Sequence, residues 1–199
     1  MNDQYIWDTL NYAIQNDIGT AALMGNLQAE SGLVSFRLQG DFTSGYMKSK
    51  NYTNGVDSGT ISESTFVNDS KGYGLAQWTY YTRKQKLYNK HISMNLSIGS
   101  VELGCAYLIE ELQSDYPSVW SALVSATNLR AASDVVLCDF ENPLDQSEAV
   151  KEHRAALGQA IYDTYSGQPI PPTPPGPPTP PDPPSTPSIP LWMLFKFDN

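Results

Sequence analysis

The sequence predicts a mainly helical α+β domain with a small β lobe, followed by a proline-rich tail. Three observations carry this reading. Apolar residues recur at helical spacing through most of the first 165 positions, residues 34–69 lose that period to Gly, Ser, Thr and Asn, and thirteen of the fifteen prolines fall at 169–190. The body is long enough to bury one core and too short for two full domains. The chain therefore divides into a folded domain at 1–166, a Pro-rich linker at 167–190 and a short apolar C-terminal peptide at 191–199.

Ile6, Leu10 and Ile14 stand four apart after a capping candidate at Asn2 or Asp3, and predict a first amphipathic helix. A second is expected to start at Thr20 after Gly19 and to stop at Gly32, where a left-handed glycine belongs. Its apolar stripe runs Leu23, Leu27 and then Glu30, a carboxylate where the pattern asks for an apolar residue. Within 34–69, Asn54-Gly55 between Tyr52 and Val56 reads as a hairpin turn, which places the β lobe there, with a short helical turn at 62–68. Two glycines around Tyr73 mark a tight backbone. Further helices follow at 80–91, at 100–115 with the stripe Val101, Cys105, Leu108 and Leu112, and from Pro117 through Trp120 and Leu123. Leu129, Ala132, Val136 and Phe140 keep register in another. Asp145, with Glu148 three residues on, opens a last helix that runs to Tyr165, and Arg154 is close enough in sequence to pair with Asp145 there. Glu141 reads as structural.

Composition excludes several functions. Net charge is 12 − 21 = −9, which argues against a nucleic-acid binder, since phosphate contacts need Lys and Arg. No apolar run reaches the roughly 18 residues of a spanning helix, and Met1-Asn2-Asp3-Gln4 has neither the basic start nor the apolar stretch of a signal peptide. Two cysteines, Cys105 and Cys138, are too few for a disulfide framework, and His91 and His153 without a close Cys pair make a poor metal site, so no metal or cofactor is expected. Twelve Tyr and four Trp in a chain with 17% charged residues suit the binding of sugars or flat ligands. The proline segment is a polyproline II spacer with a reach of roughly 70 Å. The peptide after it, with Leu191, Trp192 and Phe195, is too short for a domain or a span and reads as a docking peptide.

Glu30 is the first candidate for chemistry. Burial on an apolar stripe and the negative end of the helix dipole both favour its protonated form, which glycoside hydrolysis needs in order to protonate the leaving oxygen. The plainer alternative is a Glu turned to solvent at a helix end. The second signal is Gly74-Leu75-Ala76-Gln77.

Glu30-Ser31 at a helix end, followed by Gly-Leu-x-Gln, resembles the paired motifs of goose-type lysozymes and soluble lytic transglycosylases. The wider set is similar to the phage tail-type lysozymes: the stretch from Gly25 through Glu30-Ser31-Gly32 to Leu33, Gly72-Tyr73-Gly74-Leu75-Ala76-Gln77-Trp78-Thr79 with Arg83-Lys84, and Phe140-Glu141-Asn142-Pro143. The resemblance covers residues 6–165. It implies a lysozyme-like fold, with a helical body, a small β lobe and a substrate cleft, that cuts the β-1,4 link between N-acetylmuramic acid and N-acetylglucosamine in bacterial peptidoglycan. Glu30 falls on the family's catalytic acid. Arg37-Leu38-Gln39 stands where the family carries an Asn-Leu-Gln lead, and Asn142 stands where relatives carry Arg, so a basic role lapses there.

Asp69 is the choice for a second catalytic group, with turn capping as its alternative and Asp41, Asp57 and Glu63 as competitors. Gln77, Gln39, Tyr73, Trp78, Tyr80 and Tyr81 are the expected sugar contacts, although Trp78 fits a core equally well. Arg83 could line a rim, and Lys84, Lys86 and Lys90 either add local positive charge or form a solvated helix face. A cysteine peptidase is disfavoured, because Cys105 lies on a core stripe and Cys138 has neither an elbow nor a fixed base. The reading is a phage or prophage muramidase acting on peptidoglycan glycan strands. It would be carried on the virion tail or released to the cell wall, with other tail proteins as further partners. A lytic transglycosylase and a non-catalytic wall-binding module are the rivals.

Overall fold

The computed structural model describes residues 2–169. The proline linker and the C-terminal peptide lie outside the described residues apart from 167–169. The described residues are mainly helical, with 68% helix and almost no strand, consistent with a lysozyme-like helical fold.

Helix α1 (Asp3–Ile14) buries Ile6, Trp7, Leu10 and Ile14 and ends on Gln15 in the left-handed region. Helix α2 (Asp17–Ser31) starts three residues earlier than the glycine suggested. Asn16 is the cap: its Oδ1 accepts the Gly19 N–H at 3.0 Å, and its amide donates to the carbonyls of Val124 and Ala126. Gly19 sits inside the helix because a side chain there would collide with the backbone of Leu123. The other end follows the expectation, with Gly32 at φ 67° closing the helix.

The region expected to form the β lobe is also helical. After a short 3-10 turn (Ser44–Tyr46) come α3 (Met47–Asp57) and α4 (Glu63–Asn68). Asn54-Gly55 lies within α3 rather than in a hairpin. Tyr52 and Val56, four apart, share a face, and the missing side chain at Gly55 makes room for Ile61, whose Cδ1 would lie 2.8 Å from an added Cβ. Pairing among the described residues is limited to two isolated antiparallel bridges, Leu38 with Tyr73 and Tyr73 with Trp78. They fold 72–78 into a tight turn held by Gly74 N–H to Arg37 O at 2.8 Å and Trp78 N–H to Tyr73 O at 2.9 Å.

The remaining helices are α5 (Tyr81–Met94), α6 (Val101–Ser114), α7 (Pro117–Val124), α8 (Leu129–Val135) and α9 (Glu148–Tyr165). Cys105 is fully buried, as its stripe predicts. Helix α8 widens into a π turn (Val136–Glu141) that Asn142 ends in the left-handed region, its N–H reaching back to Leu137 O at 2.8 Å. Asp145 stands ahead of α9 and accepts the Ser147 N–H at 2.9 Å, so the helix begins later than expected.

Helix α2 packs most extensively on α9. The two touch through glycines: a Cβ on Gly25 would lie 2.5 Å from Gly158 N and 2.7 Å from Arg154 O, and one on Gly158 would lie 3.0 Å from Ala21 O. Trp7 stacks on Tyr165 at 5.4 Å, holding the end of α9 to the first helix.

Gly25→Ala is therefore expected to destabilise the domain by about 2–3 kcal/mol in urea or thermal unfolding, although alanine is the better helix former in isolation. An unchanged or raised midpoint would show that the helices are free to move apart.

Candidate active site

The C-terminal end of α2 opens into a cavity of about 840 Å³. Glu30 projects there from the last turn. Ser31 turns inward instead and donates its hydroxyl to Leu27 O at 3.1 Å. The Glu30 side chain keeps about a fifth of its exposure and forms an ion pair with the nearly buried Arg154 of α9. Arg154 also reaches the carbonyl of Asn26 at 3.4 Å and its Oδ1 at 3.3 Å, and the Asn26 amide in turn donates to Ser133 Oγ at 3.0 Å. Arg154 is thus a partner of Glu30 and not of Asp145, because the bare crossing of α2 and α9 brings it there.

Gln39 and Gln77 line the same cavity, both half-committed to backbone. Gln39 Oε1 accepts the Gly72 N–H at 2.9 Å, while Gln77 Nε2 donates to Gly74 O at 2.9 Å and Arg37 O at 3.1 Å. Gln77 holds the left-handed region at φ 47°, which the turn demands at this position. Tyr80 and Tyr81 form an exposed rim with ring centroids 5.1 Å apart, and Phe42, 91% exposed, adds a further apolar group to the lining.

Tyr73 and Trp78, expected to touch sugar, are core residues. Tyr73 is fully buried with its hydroxyl 2.6 Å from Thr53 Oγ1, and Trp78 donates Nε1–H to Glu111 at 2.8 Å. Both face inward, Tyr73 against Tyr52 of α3 and Phe66 of α4, and Trp78 against Tyr107 of α6.

Asp69, expected as the second catalytic group, is absent from the cavity lining. Its carboxylate accepts from Lys84 and Tyr52 and from the Lys71 N–H at 3.0 Å. Burial works to raise this carboxyl, but the bonds from Lys84 and Tyr52 prevail and hold it below the usual carboxylate range. Lys84 is therefore buried rather than part of a positive rim. The competing acids are occupied too. Asp41 is buried against Ser49 N–H at 2.7 Å, Asp57 accepts the Ile98 N–H at 2.8 Å, and Glu63 accepts from Gln85 at 2.6 Å.

Arg83, expected at a rim, and Glu141, read as structural, both line the cavity. Arg83 lines the wall and grips buried Glu111 with bonds of 2.7 and 2.9 Å, its guanidinium 4.8 Å over the Phe140 ring. Glu141, the last residue of the π turn, also lines the cavity, and its Oε1 is enclosed without a hydrogen-bond partner. The Phe140-Glu141-Asn142-Pro143 motif was the available signal for it. The spacing could not show that the helix widens there and turns Glu141 inward.

The family model of phage tail lysozyme matches residues 1–165. The chain belongs to the phage tail lysozyme family. Membership makes it a phage-associated, peptidoglycan-lytic enzyme. Neither the comparison with curated proteins nor that with solved structures gives a significant match. Among the described residues no helix is long and apolar enough to cross a membrane.

Asp69→Asn tests the reassigned carboxylate. Breaking a buried pair leaves Lys84 without its counter-charge, so the expected loss is about 3 kcal/mol or more of stability. The pair's contribution is present above the unfolded carboxyl range near pH 4 and fades as pH falls through the lower folded value, so the difference between variant and parent should narrow in acid. A variant as stable as the parent would return Asp69 to the list of working acids.

Proposed function

We propose that the protein is a muramidase that cleaves the β-1,4 bond between N-acetylmuramic acid and N-acetylglucosamine in peptidoglycan, with Glu30 as the general acid. One observation carries this reading: the family-motif carboxyl stands at a helix end inside an open cavity whose walls offer Gln39 and Gln77 and whose rim offers Tyr80 and Tyr81. Amide groups suit acetamido and hydroxyl substituents, and aromatic faces suit the apolar faces of sugar rings. Glu30 would protonate the leaving oxygen as the bond breaks. The domain would comprise residues 1–166, and the virion tail or the released protein would bring it to the wall, with other tail proteins as partners.

A second reading, lytic transglycosylase, is favoured by the engagement of Asp69 with Lys84. A single acid suffices there, because the substrate's own 6-hydroxyl attacks and no second carboxylate need activate water. Product mass separates the two: a 1,6-anhydro end is lighter by one water than the hydrolysed end. A wall-binding module without activity would leave a wall suspension turbid.

Glu30→Gln keeps the shape of the side chain but has no proton to give, so wall lysis is expected to fall about 100-fold or more with the melting temperature little changed. Lysis above about a tenth of the parent rate would remove Glu30 from the acid's role.

A further inference from the structure

Arg37 stands apart among the charged groups of the cavity. It is one of four arginines in the chain, and the other three, Arg83, Arg130 and Arg154, each hold a carboxylate. Arg37 lines the cavity, yet among the described residues its guanidinium forms no ion pair and donates no side-chain hydrogen bond. The acid nearest in sequence, Asp41, is filled by other donors: the Thr43 and Ser49 N–H groups at 2.9 and 2.7 Å, and both of their hydroxyls. Glu30 is taken by Arg154.

Local structure fixes where Arg37 points. Leu38 bridges to Tyr73 and is buried, so the residues on either side of it, Arg37 and Gln39, fall on the opposite face and both line the cavity. The Arg37 carbonyl accepts the Gly74 N–H at 2.8 Å and Gln77 Nε2 at 3.1 Å, which ties it to the turn that carries Gln77. Its guanidinium lies 4.5 Å over the Tyr46 ring. Tyr46 holds φ 57°, a left-handed backbone uncommon for a residue with a side chain, and its ring meets that of Phe36 edge-on at 6.3 Å. A guanidinium stacked by its face keeps its N–H edge open, and that planar fork grips a carboxylate with two bonds.

We propose, resting on the muramidase reading, that Arg37 is a specificity-determining residue that binds a carboxylate on the lactyl substituent of the N-acetylmuramic ring, whether the lactyl acid itself or an acid of the peptide attached to it. The muramyl ring carries the anomeric carbon of the bond that Glu30 would release, so its lactyl group enters the same cavity. N-acetylglucosamine bears a hydroxyl at that position and offers no charge. The chain is acidic, at −9, so an unpaired cation in the cavity is where an anionic glycan is drawn. Arg37 thereby tells a muramyl glycan from a chitin-like one, while Gln39 and Gln77 serve the acetamido groups common to both.

The test is calorimetric binding of soluble tetrasaccharides to the Glu30→Gln protein, which consumes none of them, with and without Arg37→Met. The probes are chitotetraose, the alternating muramyl glycan stripped of peptide, the same glycan bearing its peptides, and the methyl esters of the last two. At least one muramyl acid should bind about 10-fold more tightly than its ester, and Arg37→Met should erase that preference while leaving chitotetraose binding unchanged. The probe that shows the preference identifies the source: the peptide-free glycan for the lactyl acid, the peptide-bearing one for the peptide's acids. Added salt should shrink the preference, and Arg37→Lys, which keeps the charge without the planar fork, should retain only part of it. In wall lysis by the otherwise unchanged enzyme, Arg37→Met should raise KM far more than it lowers kcat. Equal binding of acids and esters overturns the proposal, as does a preference that survives Arg37→Met. Should Arg37→Met fail to fold, Arg37→Lys decides, and an undiminished preference overturns the proposal. Wall lysis by the parent and its loss in Glu30→Gln keep the muramidase reading standing when this proposal fails, whereas a protein that binds none of the probes sinks both.

Discussion

Backbone contact between α2 and α9 at Gly25 and Gly158 is the constraint on which the cavity depends. Helices that cross without side chains between them come nearer than the usual 8–10 Å allows. That nearness puts the long side chain of Arg154, one turn before Gly158, within reach of both Asn26 and Glu30. The Glu30 carboxyl thus gains its cation from the packing of the two helices and not from a neighbour in sequence. A larger residue at either glycine would separate the helices and the charges together.

Around this crossing the polar groups fall into closed sets. Glu111 receives bonds from Trp78, Arg83 and Tyr107, and thereby ties the Gly72–Trp78 turn to α5 and α6. Asp69 gathers Lys84 and Tyr52 and fixes the approach to that same turn from behind. Glu111 and Asp69 therefore each have a counter-charge and hydrogen bonds, as burial requires. Glu141 differs from both, and it stands where the walls contributed by α2, α5 and the π turn meet. A protein that satisfies Glu111 and Asp69 so fully and leaves Glu141 without a donor has placed its electrostatic cost at the cavity, where a raised carboxyl can act on a ligand.

Much of this was legible in the sequence. The stripe Leu23, Leu27, Glu30 located the end of α2 and its carboxyl, and the periods of α1 and α6 with the capping pattern ahead of α9 outlined the helical body. The failures share a physical cause: small and polar residues report local freedom, while tertiary packing decides how that freedom is used. Gly19 and Asn54-Gly55 looked like breaks and are sites of close approach inside helices. Asp69 and Lys84 carry charge without revealing that they meet, because fifteen residues and a tight turn separate them. Tyr73 between two glycines marked a tight backbone and an expected sugar contact, yet the bridge to Trp78 turns both rings into the core. The π turn has no periodic signature at all, so Glu141 could not be placed by spacing.

The arrangement also bears on how an enzyme of this family would choose its nucleophile. Among the described residues the only carboxyls lining the cavity are Glu30 and Glu141, with no third one opposite to hold a water. On the proposed reading, Glu30 gives the proton and must also take one back, from whichever hydroxyl occupies the attacking position. Hydrolysis and intramolecular attack then need the same protein groups and differ only in whether water or the sugar's 6-hydroxyl reaches that position. On that reading the choice falls to the groups around the attacking position, and the exposed Phe42, Tyr80 and Tyr81 of the lining carry no charge. On that reading the chemistry is set by Glu30 and the outcome by the aromatic rim, so a change of rim could convert one product into the other without touching Glu30.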